Sequence, residues 1–140
     1  MKVDKSVQLV DILPAGAGAP QVRRVCALKK GNSVPVKAAL LNLAKKHPED
    51  YAKLMRIVRL VAASDENFTG HVKRGKGKDY RDIYEMRGGK ARLFFFVRQE
   101  TVEIVVCTHL YWKTKPSARE QTEEFAKAKR VRDFYESLVE

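Results

Sequence analysis

The chain has 140 residues, enough for one hydrophobic core and too few for two comfortable ones. Apolar residues make up 44% of it, so it should fold, and its net charge of +11 draws anions: nucleic acid, an acidic protein or an anionic membrane surface. The longest apolar-rich stretch, Leu54 to Ala63, is too short to span a bilayer and is broken by Arg56 and Arg59. The start of the chain lacks the basic-then-apolar pattern of a secretion signal, so a cytoplasmic protein is expected.

Val7 to Leu13 reads as an edge strand, and Pro14 to Pro20, rich in Gly and Ala, as a flexible linker or loop. Gln21 to Lys29 is a strand closed by a turn at Gly31-Asn32. Ser33 is a candidate helix cap and Pro35 suits a first turn; Val36, Ala39, Leu40, Leu43 and Ala44 then recur at helical spacing up to His47. Pro48 opens a second helix, with Glu49 and Asp50 placed favourably in its first turn and a stripe through Tyr51, Leu54, Met55, Val58, Val61 and Ala62. The short link predicts an antiparallel helical hairpin.

From Ser64 to Asp79 there is no periodicity. Lys73, Arg74, Lys76 and Lys78 alternate with Gly70, Gly75 and Gly77, which reads as a flexible basic loop: a solvated surface, or an arm that tracks phosphates. Gly75 to Lys78 lacks the spacing and the Ser/Thr of a P-loop. Three strands follow, Arg81–Arg87, Ala91–Arg98 and Val102–Tyr111, with expected turns at Gly88-Gly89 and Gln99-Glu100. Ser117 and Glu120 form a capping box for a closing helix with Phe125, Ala128, Val131, Tyr135 and Leu138 on its apolar stripe. Cys26 and Cys107 read as buried thiols of a reducing compartment, and two Cys and three His at no ligand spacing argue against a zinc site.

Two-residue turns at both hairpins set a register. Tyr84 then faces Leu93, Met86 faces Ala91, Phe95 faces Ile104 and Leu93 faces Val106, so these side chains share a core face. The other face carries Arg87, Lys90 and His109 in one row, and Glu85, Arg92 and Cys107 in the next. Phe94 and Phe96 follow, while Tyr111, Lys113 and Lys115 continue the parity of His109. Clustered like charges cost stability, so binding of an anion explains them better than a merely solvated sheet face. Phe94 and Phe96 pack under another segment or offer a surface for base stacking. His109 is the one residue of the group with an ordinary pKa near neutrality, and Tyr111 and Lys113 are its rivals as proton carriers.

This block resembles the RelE/ParE superfamily of toxin–antitoxin toxins, nearest its HigB and phage-derived branch. Ile83-Tyr-Glu-Met-Arg87 and Ala91-Arg-Leu-Phe-Phe-Phe96 are similar to the branch's IYELR and RLFYF, and His109-Leu-Tyr-Trp-Lys-Thr-Lys-Pro116 to its HGFxKKxxKTP. The likeness covers roughly Val22 to Tyr135. It implies an α+β fold, with a helical hairpin and a small antiparallel or mixed sheet whose helices lie on one side, closed by a C-terminal helix, all in one domain of residues 1–140. It also implies a metal-independent endoribonuclease without cofactors that cuts mRNA, usually on the ribosome, by attack of the 2′-OH to leave a 2′,3′-cyclic phosphate. A small helix-turn-helix antitoxin is the implied partner. By position, Arg92 would hold the scissile phosphate, Arg87 would flank it, and Lys113 and Lys115 would match the lysines after the third strand. The second lysine of the paired KK is Thr114 here, and no tyrosine stands early in the last helix, which leaves the general base open. A gyrase inhibitor of the ParE type and a noncatalytic RNA-binding module are the alternatives.

Overall fold

The structure, a computed structural model, describes residues 7–13, 22–63, 70–113 and 118–139; the linker at 14–20, Ser117 and Lys115 lie outside them. In chain order the elements are β1 (Val7–Asp11), β2 (Arg23–Lys30), α1 (Pro35–Lys46), α2 (Pro48–Ala63), β3 (Val72–Arg74), β4 (Ile83–Gly88), β5 (Ala91–Gln99), β6 (Glu103–Trp112) and α3 (Ala118–Val139). The fold is α+β. One six-stranded mixed sheet runs β1-β2-β6-β5-β4-β3, antiparallel except where β2 lies parallel to β6. No helix among the described residues is long and apolar enough to cross a membrane.

The expected edge strand is β1, at one end of the sheet. The other edge strand, β3, lies within the stretch that was expected to be loop. It is three residues long and has no periodicity of its own; its pairing with β4 creates it. Ser33 does not cap α1. The cap position is Val34, without a side-chain bond, and the backbone of Ser33 is bridged to Lys30 instead. Pro35 does open the helix, and Lys45 and Lys46 lie in its last turn, where the helix dipole favours cations. A single residue, His47, separates α1 from α2.

Helices cover both faces of the sheet, which corrects the expected one-sided layer. On one face α1 and α2 bury Leu40, Leu54, Val58 and Val61 against Met86, Leu93, Phe95, Val105 and Cys107. On the other, α3 buries Phe125, Ala128 and Tyr135 against Cys26, Ile83, Phe94, Phe96, Ile104 and Val106. The unbroken apolar run Leu93–Val97 follows from this, because a strand covered on both faces needs apolar residues at every position. Each such side chain stabilises the fold by about 1.5–3 kcal/mol. Both cysteines are free and buried, one in each core.

Two turns differ from expectation, and the differences set the faces. The first hairpin turns at Gly89-Lys90, with Gly88 opposite Ala91. Gly88 is the last residue of β4, and the backbone of Leu54 in α2 approaches it so closely that a Cβ there would overlap it. Gly89 has φ +58, the left-handed conformation that glycine adopts without strain at the first position of such a turn. This moves the register by two, so Tyr84 faces Phe95 and Met86 faces Leu93, and the expected face is kept.

The second connection has three residues, 100–102, and Glu103 pairs with Gln99. An odd loop inverts the parity of β6. Val105 and Cys107 therefore join the α1/α2 core, while Ile104 and Val106 join the α3 core, the reverse of the expected assignment. A register shift between Phe94 and Phe95 then inverts it again. Phe95 pairs with Cys107 and Phe94 with His109, leaving Thr108 as the extra residue of a β-bulge. The Thr108 hydroxyl donates to the Phe94 carbonyl at 3.3 Å. Past the bulge, His109 and Tyr111 return to the face of Arg92.

Candidate active site

β4, β5 and β6 carry Glu85, Arg87, Arg92 and Tyr111 on the α3 face, beside the first turns of α3. Arg92 pairs with Arg87 on one side and Tyr111 on the other, while Glu85 pairs with Phe94. Lys73 on β3 pairs with Glu85 and so shares its face. Asp50 anchors this end of the sheet: its Oδ2 accepts from the Trp112 indole at 3.0 Å and from the Lys90 backbone N–H at 3.2 Å. The Trp112 bond is the main reason the Asp50 carboxyl is held below its usual range.

A small cleft opens among Glu85, Arg92, Phe94, Tyr111, Lys113, Glu120 and Gln121, with about 10 Å³ inside, room for one water-sized group. Glu85 is fully buried. Its Oε1 accepts from Arg87 and from the Gln121 amide, both at 2.8 Å. Three buried polar atoms have no partner among the described residues: Glu85 Oε2, Arg92 Nε and Tyr111 OH. All three belong to side chains that line this one cleft. Each such atom costs about 1–3 kcal/mol when left unsatisfied, so a cluster of three calls for a functional explanation.

Two carboxylates, Glu85 and Glu120, and two cations, Arg92 and Lys113, line the cleft, and Arg87 and Lys73 add positive charge beside it. Burial, then the neighbouring Arg87, lower the Arg92 pKa, and Glu85 works against both. The Lys73 pKa is lowered by burial and by the positive charges of Arg87, Lys76 and Lys113 around it. Arg92 Nη1 donates to the carbonyls of Gly89 at 2.7 Å and Ala91 at 3.0 Å, while its buried Nε has no partner among the described residues.

The structure thus brings together Arg87, Arg92, Tyr111, Lys113 and Lys73, with Lys76 at the margin. It separates the others. Lys90 does not lie in a row with Arg87 and His109: it sits in the turn, its ammonium over the Trp112 ring at 5.2 Å. Trp112 also stacks on His47 at 4.0 Å. Arg74 shares the face of Tyr84 and lies over that ring, donating to the Arg81 carbonyl. Lys78 is exposed in a turn and is not among the residues that line the cleft. Lys115 is outside the described residues. Phe94 and Phe96 are buried beneath α3, packed against Phe125 and Tyr135, and present no face for a base.

His109 shares the face of Arg92 but is not exposed; α3 covers it. Its ring lies on Phe94 with centroids 4.7 Å apart, Nδ1 is 3.1 Å from the Thr108 hydroxyl, and Nε2 is 3.0 Å from Glu124. Burial, helped by Lys127 and Arg130, lowers its pKa to about 3. The ring is therefore neutral, and its contact with Glu124 is a hydrogen bond. The Glu124 carboxyl is itself raised, chiefly by burial. The cations expected to act on His109, those of the sheet, are not the ones that do.

Glu85 and Gln121 were not anticipated as site residues. The signal for Glu85 was present: a carboxylate between Tyr84 and Met86 in an apolar strand is costly unless paired. Gln121 carries no such mark. Among the described residues no group of three or more His, Cys, Asp or Glu is placed to hold a metal ion. Compared with known protein families and with curated proteins, the chain matches none.

The cleft can receive a hydroxyl or a phosphoryl oxygen. A hydroxyl can donate to Glu85 Oε2 while accepting from Arg92 Nε or Tyr111 OH. A phosphate outside it would meet Arg87, Lys73 and Lys113.

Proposed function

We propose that this protein is a RelE-like toxin of the RelE/ParE superfamily, nearest the HigB branch, with α1 and α2 as its helical hairpin. It acts in the cytoplasm as a metal-independent endoribonuclease on mRNA, with the ribosome as the setting and a small helix-turn-helix protein as antitoxin. The observation that carries this reading is the convergence of Glu85 Oε2, Arg92 Nε and Tyr111 OH on one cleft beneath a group of cations. A ribose 2′-OH is both donor and acceptor, which is what those three atoms require.

The arrangement supports the following reaction. Glu85 Oε2 takes the proton of the 2′-OH as its oxygen bonds to phosphorus. Arg92, with Arg87 and Lys73, stabilises the charge that develops on the phosphorane; guanidinium groups match phosphate geometry in two-point contacts. As the bond from phosphorus to the 5′-oxygen breaks, Tyr111 or Lys113 returns a proton to that oxygen. The products are a 2′,3′-cyclic phosphate and a free 5′-hydroxyl. His109 takes no proton step in this scheme. Its stack on Phe94, which floors the cleft, makes it a positioning residue.

The experiment is incubation of the purified protein with RNA, free and on translating ribosomes, with analysis of the cleaved ends. Cyclic phosphate ends that vanish in Glu85→Gln and Arg92→Ala support the reading. RNA bound without cleavage under both conditions would leave the noncatalytic module, and arrested gyrase without RNA cleavage the ParE-type poison.

A further inference from the structure

A concavity of about 570 Å³ lies beside α3, apart from the cleft at Glu85 and Arg92. We propose that it is a binding site for a small amphipathic carboxylate, an alkyl chain with one anionic head.

The walls come from four elements. Leu28 and Lys30 of β2 form one side, and Pro35 and Val36, in the first turn of α1, close another. Thr108 and His109, at the bulge of β6, complete the lining with α3. Along α3 the lining positions are Lys127, Arg130, Val131 and Phe134, one helical stripe. Lys30 reaches across from β2 to α3, its ammonium 5.1 Å from the centre of the Phe134 ring. The volume falls within the range of about 300–1,000 Å³ that is usual for small-molecule sites.

The lining divides by chemistry. Leu28, Pro35, Val36, Val131 and Phe134 are apolar, and Phe134 is 44% exposed. Lys30, Lys127 and Arg130 carry positive charge, and no acidic side chain is in the lining. The other cations of α3 are paired: Arg119 with Glu123, Lys129 with Asp133, and Arg132 with Asp133 and Glu136. Lys127 and Arg130 form no ion pair among the described residues. Glu123, one turn before Lys127, is turned to Arg119, and Glu124 contacts His109 at 3.0 Å instead. The two cations of the helix left without an acidic partner are thus the two that border the cavity. The positive end of α1 adds to them at its own wall, with no acidic residue in its first turn and no side-chain cap. An anionic head on an apolar chain answers both halves of the lining. The inference rests on this cavity alone and does not depend on the nuclease reading.

The test is calorimetric titration of the full-length protein with hexanoate, octanoate and decanoate, each below its micelle-forming concentration. Octanol, octylammonium and vesicles of phosphatidylcholine with oleate are the comparison ligands. The expected outcome is one carboxylate bound per chain, with affinity rising up to about fourfold for each added methylene. Lys127→Gln/Arg130→Gln should weaken octanoate at least about tenfold and leave octanol unchanged. Phe134→Ser should weaken both. Lys127, Arg130 and Phe134 are exposed, so these variants keep the fold, and melting curves check it. Octanoate that binds the native protein and the charge-neutral double variant equally would overturn the proposal. So would octylammonium binding as tightly as octanoate, affinity that ignores chain length, or no saturable binding. Binding to the vesicles without binding of the free carboxylates would also overturn it, and would assign the surface to a membrane.

Discussion

Arg87 and Arg92 stand directly opposite each other on β4 and β5, and the buried carboxylate of Glu85 offsets them. Like charges placed so oppose sheet formation. Glu85 binds Arg87 at 2.8 Å, while Arg92 turns its Nη1 to two backbone carbonyls. The fold tolerates the repulsion and leaves Arg92 Nε unpaired beside the cleft. A bound phosphate would relieve both.

Arg92→Ala should therefore lower RNA cleavage by about 10²–10³-fold, the usual loss for one transition-state donor. Stability should change by no more than about 0.5 kcal/mol, because removal of the cation also removes the repulsion. Single-turnover cleavage and chemical denaturation measure the two separately. Wild-type cleavage by this variant would place the chemistry elsewhere.

Glu85→Gln keeps the size of the side chain and removes its charge. Cleavage should be lost if Oε2 is the proton acceptor, while binding of RNA persists. The variant should also lose about 1.5–3 kcal/mol of stability, the worth of the charge-assisted bond from Arg87. An active, fully stable Glu85→Gln protein would contradict both roles.

His109 gives the fold a pH dependence. Its pKa drops from 6.5 to about 3 on folding, so between those values the unfolded chain binds the extra proton. Stability is complete above about pH 6.5 and falls as pH falls, by up to about 2 kcal/mol at pH 5. Glu124 opposes this within the carboxylate range, since its pKa is raised in the folded chain. Thermal melts of the native protein and His109→Gln at pH 7.5 and 5 should show a smaller difference for the variant. The pH profile of cleavage should be the same in both.

RNA binding should weaken steeply with salt. Contacts from Lys73, Arg87, Arg92 and Lys113 correspond to a slope of about −3 in log K against log salt for single strands. Lys113→Ala should reduce that slope by about 0.7. Lys90→Ala should not change it, because that ammonium lies over Trp112. Fluorescence anisotropy between low and physiological salt decides it.

Local chemistry in the chain determined much of this. Periodicity located α1, α2 and α3, because each must bury one stripe. Gly88-Gly89 marked a hairpin, and alternation placed Met86, Leu93 and Phe95 together and Arg87 with Arg92. These depend on neighbours in sequence and on the two-residue repeat of a strand. The tertiary structure decided what depends on packing across distance. Gly88 pairs within β4, where Leu54 of α2 leaves no room for a Cβ, and the turn lies one residue later than expected. A three-residue loop inverted β6, and the bulge at Thr108 inverted it back, so His109 reached the expected face by two changes that alternation does not reveal. Only the seating of α3 buried His109, Phe94 and Phe96, and only β3, formed by pairing with β4, brought Lys73 to Glu85. Sequence pattern reports which residues can share a face; whether that face meets water or a helix is decided when distant segments pack against it.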